Sequence, residues 1–201
     1  MCGIIGYSSK ESVNEHYELF YKLINESKIR GLHSFGISYY DQNIITKKYK
    51  KISDIILPKK NKIIFHNRYA TSGDYKNDLN NQPITINDIS LVFNGVIDMR
   101  TKQEMQDYYN IKMQTENDGE ILLQKFGNDF IGILNFIKNT GSFAGLFLNN
   151  NKIIAIRNEH RPLWAIQYKK AIFYASTKNI FERACKDCEP IEIEPYTIYE
   201  N

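Results

Sequence analysis

The feature that most constrains this chain is the order of its apolar runs. Short runs rich in Ile, Val, Phe and Tyr, broken by Gly, Asn, Asp and Ser, fill both ends of the sequence, whereas helical spacing fills the middle. In the first half, residues 2–8, 37–40, 44–49, 63–65 and 89–93 read as strands, with Asp41-Gln42-Asn43 closing a hairpin. Between the first two, Val13, Tyr17, Phe20, Tyr21 and Ile24 recur at helical spacing over 11–28, with Ser9 or Ser12 as the cap. Arg30 to Gly36 reads as a turn, Lys59 to Lys62 as a solvated basic turn and Asp74 to Asn81 as a loop. The centre supplies helices over 101–109, 118–126 and 129–138. Strands return over 142–148, 153–156, 163–168 and 171–174. A short helix follows over 178–185, and an alternating edge strand over 191–199. Two blocks of strands around a helical centre predict an α+β fold, with antiparallel sheets and helices on their outer faces. No internal repeat, linker-like tract or second domain is visible.

Size and charge narrow the function classes. The 201 residues suffice for one sizeable domain with its own core, and 42% hydrophobic with 24% charged residues is a globular composition. A formal charge of +3 gives no argument for nucleic acid or a membrane surface. No run approaches the roughly 20 apolar residues of a membrane span, and the N-terminus lacks the basic and apolar regions of a signal peptide. Three cysteines are too few for a disulfide framework, so a reducing cytoplasm is the expected setting. Cys185-x-x-Cys188 reads as two thiols. A zinc site would need two further ligands, and His16, His33, His66 and His160 form no pair at ligand spacing, so no metal is expected.

Cys2 directly follows Met1, and methionine is normally trimmed before a small residue. Trimming would put a thiol and an α-amine on one residue, which together make a nucleophile and its base. The amine's ordinary pKa of about 7.7–8.0 suits proton transfer near neutrality. Further polar clusters stand at the ends of apolar strands. They are Arg30-Gly31 with Ser34 and Gly36, His66-x-Arg68-Tyr69-Ala70-Thr71-x-Gly73, Phe93-Asn94-Gly95-x-Ile97, Asp118 with Glu120, Arg157-x-x-x-Arg161-Pro162-Leu163, and Ala175-Ser176.

Taken in order with Cys2-Gly3-Ile4-Ile5-Gly6, these clusters resemble the marks of the class II glutamine amidotransferases. Those are glutaminase domains of the N-terminal nucleophile hydrolase superfamily, and the resemblance covers nearly the whole chain. It implies a four-layer αββα sandwich with two antiparallel sheets, a single glutaminase domain over 1–201, and no synthase domain in the chain. It implies that Cys2 attacks the glutamine side-chain amide, forms a γ-glutamyl thioester and releases ammonia and then glutamate, with no cofactor. In that scheme Arg68 grips the substrate α-carboxylate, Thr71 adds a hydroxyl donor and Asp118 pairs with the α-ammonium. Asn94 and Gly95 supply the oxyanion donors, and Arg30 sits beside the nucleophile. Each has a plainer reading as well: a surface ion pair for Arg68, a backbone-bonded hydroxyl for Thr71, a helix N-terminal charge for Asp118 and a tight turn for Asn94-Gly95. Three residues depart from the family pattern: His33 stands where Asp is usual, Asn158 follows Arg157 in place of Asp, and Thr177 follows Ser176 in place of an acid. They bear on loop geometry and on the link to a synthase partner more than on hydrolysis. Ammonia would pass to a synthase on another chain. Two rivals are a stand-alone hydrolase of γ-glutamyl or other amides and an inactive glutaminase-like binding subunit.

Overall fold

The computed structural model describes residues 2–11, 13–69 and 74–201. Its strands form two antiparallel sheets. The first holds β1 (Gly3–Ser9), β2 (Ser34–Asp41), β3 (Asn43–Tyr49), β4 (Lys62–Arg68), β9 (Trp164–Tyr168), β10 (Ala171–Ala175) and β11 (Ile191–Glu192), in the order β11-β9-β10-β1-β4-β2-β3. The second holds β5 (Ile84–Ile86), β6 (Ile89–Val96), β7 (Ser142–Asn149), β8 (Lys152–Arg157) and β12 (Tyr199–Glu200), in the order β12-β8-β7-β6-β5. Helices α1 (Asn14–Ser27) and α5 (Lys178–Ala184) pack on the first sheet and on each other. Helices α2 (Lys102–Tyr109), α3 (Glu120–Phe126) and α4 (Phe130–Ile137) cover the second.

Alternation along the strands explains the layering, because residues two apart share a face. In β4, Ile63 and Phe65 join the cluster beneath α1 and α5, while Ile64 joins the one between the sheets. The inter-sheet cluster is Ile4, Ile64, Val92, Ala144, Leu146, Leu148 and their neighbours. A third cluster of Phe93, Phe143, Phe147, Ile121 and Ile133 lies between the second sheet and its helices. One polar chain crosses the sandwich: Ser38, Thr46, Thr85 and Ser90 are linked by hydroxyl contacts of 2.6–3.0 Å. The expected αββα sandwich is thus the observed one.

Several local expectations are corrected. The N-cap of α1 is Val13, with no side-chain cap bond, and Ser9 instead donates to the Glu11 carbonyl at 2.6 Å. Ser12 lies outside the described residues. β4 runs through His66, Asn67 and Arg68, because each pairs across to β1 or β2. β5 is a strand the sequence reading passed over, being only three residues long. The expected edge strand over 191–199 is split: its start pairs with β9 in one sheet, and Tyr199–Glu200 pairs with β8 in the other. Helix α2 begins as its sequence suggests, with Thr101 and Glu104 forming a reciprocal capping box.

Candidate active site

Cys2 stands immediately before β1, and that strand is held on both sides. Ser176 fixes its first residues, since the Ile4 amide donates to the Ser176 hydroxyl at 2.6 Å and the Ser176 amide donates to the Ile4 carbonyl at 3.1 Å. On the other side Gly3 pairs with Asn67. A Cβ on Gly3 would lie 2.1 Å from Asn67 Oδ1, so the close approach requires glycine here. Asn67 Nδ2 donates to the carbonyls of Ser27 (2.9 Å) and Gly31 (3.0 Å), which ties the strand beside Gly3 to the end of α1.

That tie positions Arg30. It lies on a single 3-10 turn, Lys28–Arg30, pressed against the end of β4. Arg30 Nε donates to the Cys2 carbonyl at 2.7 Å. The Cys2 thiol donates to the Tyr69 carbonyl, with Sγ 3.7 Å from the oxygen. Burial pushes the Cys2 thiol up from its ordinary value, and the Tyr69 backbone contact and the positive charges of Arg68 and Arg30 offset only part of that rise.

Arg68 ends β4 on the same face as Ile64 and is buried. Its Nη1 donates to the Asn80 carbonyl at 3.1 Å and to Asn81 Oδ1 at 2.6 Å. Asn80 in turn exchanges hydrogen bonds with Glu116, 2.8 Å from its Nδ2 to Oε2 and 2.9 Å from the Glu116 amide to its Oδ1. Asn117 Nδ2 donates to the Asn80 carbonyl at 3.2 Å. A belt of Asn80, Asn81, Glu116 and Asn117 therefore holds the guanidinium, and the sequence reading missed all four. Their composition reads as an ordinary polar loop.

Asn94 and Gly95 lie inside β6, paired with Ala144 and Phe143. They form no tight turn, which corrects the plainer reading of Asn-Gly. Asn94 is 3% exposed, and its Nδ2 is a buried donor with no hydrogen-bond partner among the described residues. Gly95 is crowded from the neighbouring strand, where a Cβ would lie 1.9 Å from the Ser142 carbonyl oxygen. Two residues on, Asp118 Oδ2 accepts from the amides of Ile97 (2.6 Å) and Asp98 (3.1 Å). Asp118 precedes α3 and pins the chain that leaves the Asn94-Gly95 element. Burial pushes its carboxyl up, against the lowering effect of these amide bonds.

The structure thus brings Cys2, Arg30 and Arg68 together, and it couples Asn94-Gly95 to Asp118 through β6. Thr71 lies outside the described residues. The C-terminal marks are structural. Arg157 Nε donates to the Ile193 carbonyl and its Nη2 pairs with Glu192 at 3.1 Å, fastening the last segment. Asn158 accepts from the Phe143 amide at 3.0 Å and donates to Ile137 and Gly141 carbonyls at 3.3 Å. An amide can donate and accept at once, which is how Asn serves in place of Asp there. His33 is stacked between Tyr69 and Tyr75, with ring centroids 5.2 and 4.8 Å apart. Cys185 and Cys188, expected as thiols, are joined as a disulfide across the turn that ends α5, where their Cα atoms are 5.4 Å apart. Among the described residues no group of three or more His, Cys, Asp or Glu is placed to hold a metal ion. Among the described residues no helix is long and apolar enough to cross a membrane.

His66 carries a measurable consequence. It is fully buried, and neither ring nitrogen has a hydrogen-bond partner among the described residues. Burial, reinforced by the charges of Arg68 and Lys48, pushes its pKa down to about 3. A histidine with a depressed folded-state pKa binds its proton first in the unfolded chain. Stability is therefore unaffected above about 6.5 and falls as pH drops toward 3, by up to about 1.4 kcal/mol per pH unit. Urea unfolding of the wild type and His66→Leu at pH 7, 5.5 and 4 checks this. The wild type loses more stability than the variant below pH 6.5, and equal losses would remove His66 from the account.

No family model matches the chain. Its sequence is 29% identical over 183 residues to a glutamine–fructose-6-phosphate aminotransferase (isomerizing) of Sulfurisphaera tokodaii, covering 81% of this chain and 31% of that protein. Its fold matches a glutamine phosphoribosylpyrophosphate amidotransferase from B. subtilis, with TM-score 0.74 and 21% identity over 100% of this chain and 49% of the other. It also matches an allosteric regulatory enzyme of purine biosynthesis, with TM-score 0.75 and 23% identity, covering 96% and 45%. A glutamine aminotransferase class-II domain protein from Silicibacter pomeroyi matches over 100% of this chain and 98% of its own, with TM-score 0.58 and 12% identity. The chain spans about a third of the curated relative and about half of the first two solved structures.

Proposed function

We propose that this chain, a class II glutamine amidotransferase domain in its fold and its sequence, hydrolyses the side-chain amide of glutamine at Cys2. The observation that carries the reading is the buried, unpartnered Asn94 amide on the strand that faces the nucleophile's sheet. A buried donor left without a partner costs about 1–3 kcal/mol. Such a cost fits a group kept for charge that appears only during reaction.

In the proposed cycle Met1 is removed and the Cys2 α-amine takes the thiol proton. The thiolate attacks the amide carbonyl, and Asn94 Nδ2 with the Gly95 amide stabilises the oxyanion. The amine returns the proton to the leaving nitrogen, ammonia departs, and water releases glutamate from the γ-glutamyl thioester. Arg68 binds the α-carboxylate, held in register by Asn80 and Asn81. Asp118 binds the α-ammonium, a cation that offsets the cost of burying its carboxylate. Thr71 adds a donor to the carboxylate end. Arg30 fixes the Cys2 carbonyl and with it the direction of the thiol. The ammonia passes to a synthase activity that uses it.

The test is a substrate panel on Met1-trimmed protein. Glutamine should give equal glutamate and ammonia, and γ-glutamyl amides of larger amines should be turned over at least about tenfold more slowly. A preference for the larger amides would make the chain a γ-glutamyl hydrolase, and no turnover of either would make it a binding subunit.

A further inference from the structure

His33 stands where the family pattern has Asp, and the structure places it against two consecutive residues of the site. Its backbone amide donates to the Arg68 carbonyl at 3.0 Å. Its ring stacks on Tyr69, with the planes tilted by only 24°, and on Tyr75 from the other side, tilted by 21°. The residue just before β2 therefore grips Arg68 by its backbone and Tyr69 by its side chain.

Both grips lead to groups that face the glutamine. Tyr69 supplies the carbonyl to which the Cys2 thiol donates, and that contact directs the sulfur. Tyr75 closes a circuit back to the clamp. Its carbonyl accepts from Asn81 Nδ2 at 2.8 Å, and Asn81 Oδ1 accepts from Arg68 Nη1 at 2.6 Å. The path runs from the guanidinium through Asn81, Tyr75, His33 and Tyr69 to the nucleophile. Its two ends are not equally dependent on the stack. Arg68 Nη1 also donates to the Asn80 carbonyl, and Asn80 is held by Glu116 and Asn117, so the guanidinium has a second hold. The Tyr69 ring is half exposed and rests on His33. An Asp at position 33 would keep the amide bond to Arg68 and offer Tyr69 no ring face.

We propose that His33 is a positioning residue for the reaction at Cys2. Its ring, clamped between Tyr69 and Tyr75, fixes the Tyr69 carbonyl and through it the direction of the thiol. The proposal rests on the reading of Cys2 as the nucleophile toward glutamine, and it adds a residue that the family pattern does not supply. The thiol end depends on the stack more than the guanidinium end does, so the effect falls on kcat and not on KM.

Steady-state glutamate release by the Met1-trimmed protein and its variants tests it. His33→Ala should lower kcat for glutamine at least about fivefold and change KM less than about twofold, as for the loss of a stacked pair that acts on the reacting atom. His33→Phe keeps a flat ring and should recover the wild-type kcat, whereas His33→Asp should behave like His33→Ala. Tyr75→Ala leaves the Tyr75 carbonyl in place and should also lower kcat. The double variant His33→Ala/Tyr75→Ala should be no slower than His33→Ala, because both changes remove one stack. His33 is exposed, so all variants should melt with the wild type. Alkylation by iodoacetamide, followed by mass on the peptide that begins at Cys2, reads the sulfur without glutamine. A thiol released from the Tyr69 carbonyl is more accessible, so His33→Ala and His33→Asp should be alkylated faster than wild type and His33→Phe at the wild-type rate. A loss confined to KM, failure of His33→Phe to recover kcat, or equal alkylation rates in all four proteins would overturn the proposal. Absence of glutamate release by the wild type would sink the glutaminase reading instead, and the alkylation rates would still decide whether His33 holds the thiol.

Discussion

Cys2→Ala should lower glutamate release from glutamine by at least about 10⁴-fold in kcat, because the proposed cycle forms its acyl intermediate on the Cys2 thiol. The substitution should leave the fold intact. Cys2 lies before the first paired residue of β1, and the strand start is held by Ile4 with Ser176 and by Gly3 with Asn67, not by the thiol. Loss of activity with an unchanged melting temperature separates a chemical role from a structural one. A variant that keeps more than a hundredth of wild-type kcat would show that glutamine is hydrolysed without Cys2.

The second large effect belongs to Asn94. Asn94→Ala should lower kcat by about 10²–10³-fold, the usual loss for one oxyanion donor, with little change in KM. Its structural signature is unusual for a buried polar residue. The deleted Nδ2 has no partner to leave stranded, so the variant should melt no lower than expected for a small cavity. Arg68→Ala should do the reverse, raising KM sharply and also freeing Asn80 and Asn81 from the charge they hold. Steady-state kinetics on both variants decides between the roles. If Asn94→Ala moved KM and Arg68→Ala moved only kcat, the two assignments would be exchanged.

The architecture was legible because periodicity carries it. Alternation in Ile63-Ile64-Phe65 and helical spacing in α1 are local signals, and the resemblance read from the ordered motifs is borne out by the fold and by the relatives found. Boundaries were less legible for a physical reason. His66, Asn67 and Arg68 are polar, yet they extend β4 because their backbones pair with β1 and β2, a tertiary fact that composition does not record. The same cause hides Asn94-Gly95 inside β6, where pairing with β7 overrides a strong local turn signal. The belt from Asn80 to Asn117 was invisible because its members are about 36 residues apart in sequence and meet only through Arg68 and one another. His33 shows the opposite case. Its departure from the family pattern was noted in the sequence, but its place between Tyr69 and Tyr75 required the structure.

The most direct test of the central claim is the intact mass of the purified protein before and after an electrophilic glutamine analogue. The account predicts a mass lacking Met1, then a single adduct that is absent from Cys2→Ala. A retained Met1, or a trimmed protein that takes no adduct, would contradict it and would mean that the site keeps the geometry of a glutaminase without its reaction.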